Sequence, residues 1–143
     1  MTYTVDIIEG LAELLTGQAL GIYRPDTPFQ PGETAITTYV MPPSPDRVIC
    51  LTPYPIEDTG GTDAITAVQV RMRAGLDPRD VAALADQVFG VLHGREAFAL
   101  RGVPVALMWR QSEAVLGADA NRRLELAANY YARTTRAIPN AYE

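Results

Sequence analysis

A chain of 143 residues with 48 % hydrophobic and 20 % charged side chains fits one globular domain spanning residues 1–143. Its net charge of −5 argues against a basic nucleic-acid-binding surface, and no apolar run approaches the ~20 residues needed to cross a bilayer. The single cysteine, Cys50, excludes an internal disulfide, and with the single histidine it excludes a nitrogen–sulfur zinc site within one chain.

The first residues carry no basic segment followed by an unbroken apolar stretch, so no export signal is expected. Cys50 lies in an apolar run and reads as a small core hydrophobe in a reducing compartment. All the basic residues are arginine, an observation from which no function follows.

Residues 4–17 read as a helix. Ile7, Ile8, Leu11, Leu14 and Leu15 form one stripe, Thr4 is the candidate N-cap, Asp6 suits the positive end of the dipole and Gly17 is placed to end it. Residues 22–34, with Pro25, Pro28, Pro31 and Gly32, read as a turn-rich connection rather than a strand. Strands are expected over Ala35–Met41 and Arg47–Thr52, with Pro42-Pro43-Ser44-Pro45 between them as a stiff reversal. The stretch Pro53–Asp63, carrying Pro53, Pro55 and Gly60-Gly61, is expected to be a long contact loop.

Ile65–Gly94 is the most informative stretch: a strand running through Gly75 into a helix opened by Asp77-Pro78. Val68, Val70 and Met72 point one way, while Gln69, Arg71 and Arg73 point the other, the period of a half-buried strand. The arginines offer bidentate donors that a partner subunit could use. The helix over residues 78–92 has Asp77 as cap, Pro78 at its first position and Asp80 in the capping-box position. Val81, Leu84, Ala85, Val88 and Leu92 are its buried stripe; Gly94 ends it, and Gly90 suggests a close approach.

Val103–Arg110 is expected to be a strand apolar on both faces, with Val103, Val105, Leu107 and Trp109 on one and Ala106 and Met108 on the other. Gly117-Ala118-Asp119 marks a turn. A long final strand, Leu124–Arg136, turns Leu124, Leu126, Ala128, Tyr130 and Ala132 inward and Glu125, Asn129, Tyr131, Arg133 and Thr135 outward, and its length suggests that it extends past the core. The order α-β-β-β-α-β-β gives an α+β fold: a single mixed, mostly antiparallel sheet with two helices packed on one face.

No constellation for catalysis emerges. His93, at a helix C-terminus, is placed to favour the dipole and meet the last carbonyls rather than to act as a base. Asp58 and Asp63 flank Gly60-Gly61 without the spacing of a calcium loop, and no phosphate-binding glycine motif is present. Ser44 and Ser112 lie outside any nucleophile-elbow setting, and Glu9 and Glu13 read as a solvated helix face. No catalytic residue, cofactor or metal is expected.

Three segments together carry a family resemblance: Arg47-Val-Ile-Cys-Leu-Thr-Pro-Tyr-Pro, Val68-Gln-Val-Arg-Met-Arg-Ala-Gly-Leu-Asp-Pro, and Leu116-Gly-Ala-Asp-Ala-Asn-Arg-Arg-Leu-Glu-Leu-Ala-Ala-Asn-Tyr-Tyr. In this order and spacing, with the Asp-Pro-capped helix between the last two, the chain resembles the tail terminator proteins of long-tailed bacteriophages, some of which are called minor capsid or tail completion proteins. The resemblance covers roughly residues 35–136, and the prolines of residues 22–45 are not matched to it.

The resemblance implies a homohexameric ring that ends tail-tube polymerisation and meets a head-side connector or neck protein. It further implies location at the head-proximal end of the virion tail, assembly in the host cytoplasm and no enzymatic activity. DNA would pass through such a ring without tight binding, and no membrane partner is implied. Gln69, Arg71, Arg73, Gly60, Gly61, Tyr131 and Arg133 are the expected subunit or tube contacts. Two other readings stand beside it: another neck component, such as a head-completion or head–tail joining protein, and a small cytoplasmic α+β ligand-binding domain or enzyme.

Overall fold

Helical stripes and alternating strands meet over one face of a single sheet in the structure, a computed structural model that describes residues 2–140. In chain order the elements are α1 (Tyr3–Gly17), β1 (Ile22–Tyr23), β2 (Thr34–Thr38), β3 (Arg47–Asp58), β4 (Asp63–Arg73), α2 (Pro78–Leu92), β5 (Arg95–Leu100), β6 (Val103–Ala118) and β7 (Leu124–Thr135). The sheet order is β1-β2-β3-β4-β7-β6-β5. The β1/β2 and β2/β3 pairs are parallel, and every other pair is antiparallel. The mixed, mostly antiparallel sheet with both helices on one face stands; β1 and β5 are additions to the expected order.

The core lies between helices and sheet. Ile7, Leu11 and Leu15 of α1 and Val81, Leu84, Val88 and Leu92 of α2 cover Ile49, Leu51, Val68, Val70, Met72 and Tyr130. A fully buried Leu side chain contributes about 2–3 kcal/mol of apolar transfer free energy, so these stripes dominate the stability. A smaller cluster of Ala35, Val48 and Cys50 sits on the other face beneath Phe29 and Met41.

Local chemistry explains most boundaries. Asp77 caps α2 by accepting from the Arg79 amide at 3.0 Å, and Gly94 follows the helix at φ +78°. At α1 the expectation is displaced: Thr2 is the N-cap, without a side-chain bond, and Thr4 lies inside the helix. α1 is instead pinned to the sheet by the Tyr3 hydroxyl, 2.6 Å from Thr66 Oγ1 and also bonded to Thr134 Oγ1.

The prolines mislead twice. Pro53 and Pro55 lie within β3, and the connection to β4 shrinks from the expected Pro53–Asp63 loop to residues 59–62. They are tolerated because β2 accompanies β3 only as far as Leu51, so the later half of β3 has a free edge where a missing N–H breaks no ladder bond. Second, Pro42-Pro43-Ser44-Pro45 makes no hairpin reversal. β2 and β3 are parallel, so the segment carries the chain back to the start of the next strand.

β6 departs furthest from the simple pattern. Its register against β7 slips by one residue near Ala106, Gln111 and Leu116. Each slip exchanges the two faces of the strand. Met108 therefore joins Val105 in the core at 0 % exposure, while Leu107 and Trp109 fall on the opposite face. β7 does not project beyond the core as expected; β6 does, with residues 111–118 exposed throughout.

Two helix glycines differ in their surroundings. A Cβ at Gly10 would sit 2.8 Å from Leu100 Cβ and 2.9 Å from the Leu100 backbone, which fixes how closely α1 approaches β5. At Gly90 a Cβ would meet nothing within 4 Å, so that glycine marks no close approach. In urea unfolding, Gly10→Ala should destabilise the protein by about 1–3 kcal/mol through overpacking. Gly90→Ala should stabilise it by roughly 0.5–1 kcal/mol through helix propensity. Equal effects at the two sites would contradict this packing.

Candidate subunit-contact surface

The face of the sheet away from the helices carries most of the residues expected to make contacts. β4 presents Gln69 and Arg71, and β7 presents Asn129, Tyr131 and Arg133, because successive side chains alternate and β4 and β7 pair without a bulge from Asp63↔Thr135 to Arg73↔Glu125. Gln69 stands opposite both Thr52 and Asn129. Tyr131 packs edge-on against Trp109 with ring centroids 5.8 Å apart. A hydrogen-bonded row crosses the middle: Tyr54 Oη donates to Asn129 Oδ1 at 2.9 Å, and Asn129 Nδ2 donates to Ser112 Oγ at 3.1 Å. Gly60 and Gly61 lie at the β3–β4 turn at the end of this face.

The two arginines of β4 have different roles, which their spacing alone did not separate. Arg71 pairs with Glu125 on neighbouring β7, Nε to Oε1 2.6 Å, and its side chain stays 41 % exposed. Arg73 is 2 % exposed, with its guanidinium spent on its own chain: Nε donates to the Asp46 carbonyl at 3.0 Å and a terminal nitrogen to the Pro45 carbonyl at 2.7 Å. The expectation that Arg73 lies on an open contact face is corrected accordingly. Glu125, expected to point to solvent, is 6 % exposed under Arg71.

Arg123, just ahead of β7, completes this corner. It donates to the Pro43 carbonyl at 2.9 Å and to Asp46 Oδ1 at 3.1 Å, and it pairs with Asp119 at 2.8 Å. Asp119 also accepts from the amides of Asn121 and Arg123 and so closes the β6–β7 turn. These bonds, the Arg123 amide foremost, hold the Asp119 carboxyl below the usual carboxylate range. Burial pushes the Arg73 guanidinium down from its ordinary value, with neighbouring Arg123 adding to the effect.

Elsewhere the titratable groups are structural. The His93 backbone amide bonds the Phe89 carbonyl, but its imidazole turns to β6 rather than to the helix carbonyls. Its Nδ1 accepts from the Arg110 amide at 3.0 Å, and its ring stacks on Phe89 at 4.4 Å, so it ties α2 to β6. Among the described residues no three His, Cys, Asp or Glu side chains are grouped to hold a metal ion, and no helix is long and apolar enough to cross a membrane. An open hollow of about 460 Å³ is lined by Phe29, Pro31, Glu33, Ser44, Arg47 and Asp80, with His93 absent from its wall. Glu33 there is held at about 2 by its bond to Arg24 and then by the Gln30 amide, an ion pair that fastens the residue 24–33 loop.

A model of the family described as bacteriophage tail terminator protein matches residues 14–136. No curated protein matches the chain. Among solved structures, a chain from the virion of a native gene transfer agent particle is similar in fold. It aligns at a TM-score of 0.55 and 15 % identity, over 69 % of this chain and 78 % of that one.

The arginine corner makes two predictions. Arg73→Ala strands the Pro45 and Asp46 carbonyls and should destabilise the fold by about 3 kcal/mol. Arg71→Ala strands no backbone carbonyl and opens Glu125 to water, so it should cost less, about 1 kcal/mol. Similar losses at both positions in urea unfolding would refute the distinction. The second concerns acid. Because the folded Asp119 carboxyl titrates below its unfolded value, its contribution is complete above that unfolded value, near ~4, and disappears as pH falls through the folded one. The melting-temperature gap between wild type and Asp119→Ala should therefore be constant above about pH 5 and shrink at lower pH. A gap that widens on acidification would contradict the pairing.

Proposed function

Because the chain belongs to the bacteriophage tail terminator family, and is thus a structural protein of the virion tail rather than an enzyme, we propose that six copies form a ring on the head-proximal end of the tail tube. The ring ends tube polymerisation and offers its other surface to the head-side connector. The observation that carries this reading is the family match over residues 14–136, which includes the whole sheet from β2 to β7. The helix-free face supports it, since Gln69, Arg71, Tyr131, Trp109 and Arg133 are of the polar–aromatic kind found at subunit interfaces.

Electrostatics fit passage of DNA without capture. Six copies multiply a net charge of −5, and the acids of this chain engage arginines at Arg24, Arg71, Arg79, Arg101, Arg110 and Arg123. Paired arginines release fewer counterions from phosphate, so the duplex would find little to hold it.

The test is electron microscopy of the purified protein alone and mixed with tail tubes, with light scattering in parallel. Six-fold rings and capped tube ends are expected, with tubes no longer elongating. Binding to the portal in preference to tubes would favour a different neck component. A strict monomer or two-fold dimer under both conditions would defeat the ring.

A further inference from the structure

The sheet leaves two half-edges open at opposite corners. On one margin β5 pairs with β6 only from Val103 to Met108, so β6 from Trp109 to Ala118 has β7 on one side and no strand on the other. On the other margin β2 leaves β3 at Leu51, so Thr52–Asp58 is paired by β4 alone. Among the described residues, the exposed large apolar side chains other than Leu76, which precedes α2, gather at these two places. Val115 and Leu116, 67 % and 51 % exposed, lie on the β6 half. Ile56 lies on the β3 half, next to exposed Tyr39 and Val40, which follow directly where the Tyr39 amide bonds the Leu51 carbonyl.

The β3 half offers carbonyl acceptors that outward N–H groups of the β6 half can meet, while its two prolines return no donors. In an antiparallel ladder, alternate residues turn N–H and C=O to the same side. Pro53 and Pro55 hold their places in the β3–β4 register without an N–H, so they face outward and leave this half rich in acceptors and poor in donors. On β6 the Arg110 amide faces outward, to His93. One residue is inserted at Gln111, Ser112 and Ala114 then pair inward with Asn129 and Ala127, and Glu113 presents its backbone outward. No proline or charge blunts the run Ala114-Val-Leu-Gly-Ala, although exposed edges are ordinarily blunted in this way.

The sense and offset also agree. β3, β4, β7 and β6 alternate in direction, so a second copy placed beside β6 with its sheet continuing presents β3 antiparallel to it. We propose that the Trp109–Ala118 half-edge of one copy pairs with the Thr52–Asp58 half-edge of the next, carrying one sheet from subunit to subunit. This inference rests on the ring reading and names its contact. The pairing joins unlike surfaces and so propagates head to tail, as a ring requires. Because the open halves lie at opposite ends of their strands, each copy is offset along the strand direction, the stagger by which a closed sheet tilts its strands.

The test uses the full chain. Glu113→Pro removes one outward N–H, and Val115→Lys places a charge on the edge. Sedimentation velocity, alone and with tail tubes, should show subunit association weakened by about tenfold or more in each, with the melting temperature unchanged. If Glu113→Pro also lowers the melting temperature, Val115→Lys decides. In a Cys50→Ala background, oxidation of Glu113→Cys/Glu57→Cys should give a covalent ladder beyond the dimer. Covalent dimers from Glu113→Cys alone, meaning β6 against β6, would overturn the proposal, as would a double variant that gives no ladder. Rings that form equally well in both edge variants would overturn this contact and leave the ring standing. A wild-type chain that stays monomeric alone and on tubes would overturn both.

Discussion

The arrangement depends on how a segment poor in amides is held. Pro42, Pro43 and Pro45 have no N–H to offer a ladder, yet their carbonyls still need donors. A parallel pair such as β2/β3 ordinarily needs a crossover of a dozen or more residues, usually helical. Here residues 39–46 make the return across the helix-free face without one. Arg73 and Arg123 supply the missing donors to the carbonyls of Pro43, Pro45 and Asp46, and the fixed geometry of guanidinium lets one side chain satisfy two acceptors. With the return fastened, β2 lies in register along β3, β1 finds its partner, and Met41 comes down over Val48 and Cys50.

The same device divides the sheet. Its helix side is a conventional core, filled by two amphipathic stripes and seven strands. Its other side is covered only at the corner where the proline return lies, and elsewhere it exposes a polar and aromatic surface built on β3, β4, β6 and β7. In a structural protein of the virion tail, this rigid, uncovered surface rather than a pocket is what that side of the sheet offers.

How much was legible in the sequence varies with how local the cause is. α2 was readable residue by residue, since Asp77, Pro78, the Val81–Leu92 stripe and Gly94 act within a turn or two of one another. β4 and β7 were readable because each alternates without interruption. Arg73 was not: its environment comes from Pro45 and Asp46, which only the folded topology brings near. Pro53 and Pro55 carry a local signal against a strand, yet they are accommodated because β2 stops short, a fact about another element. In β6 the slips near Ala106, Gln111 and Leu116 scramble any period of two, so Met108 was assigned to the wrong face. Glu125 looked like a solvated acid until Arg71 covered it. Of the residues expected to make contacts, Gln69, Arg71, Tyr131 and Arg133 share one face, which the alternation within each strand could not show and the pairing of β4 with β7 does.

The placement of Cys50 has a practical consequence. Its thiol is 2 % exposed, burial pushes its pKa up, and Met41 of the proline return packs over its cluster. A thiol reagent reaches it only when that cover lifts. Its labelling rate is thus a clock for one local opening, much as amide exchange times the opening of a single foldon. As the chain's only cysteine, it reads that one corner with no background from elsewhere.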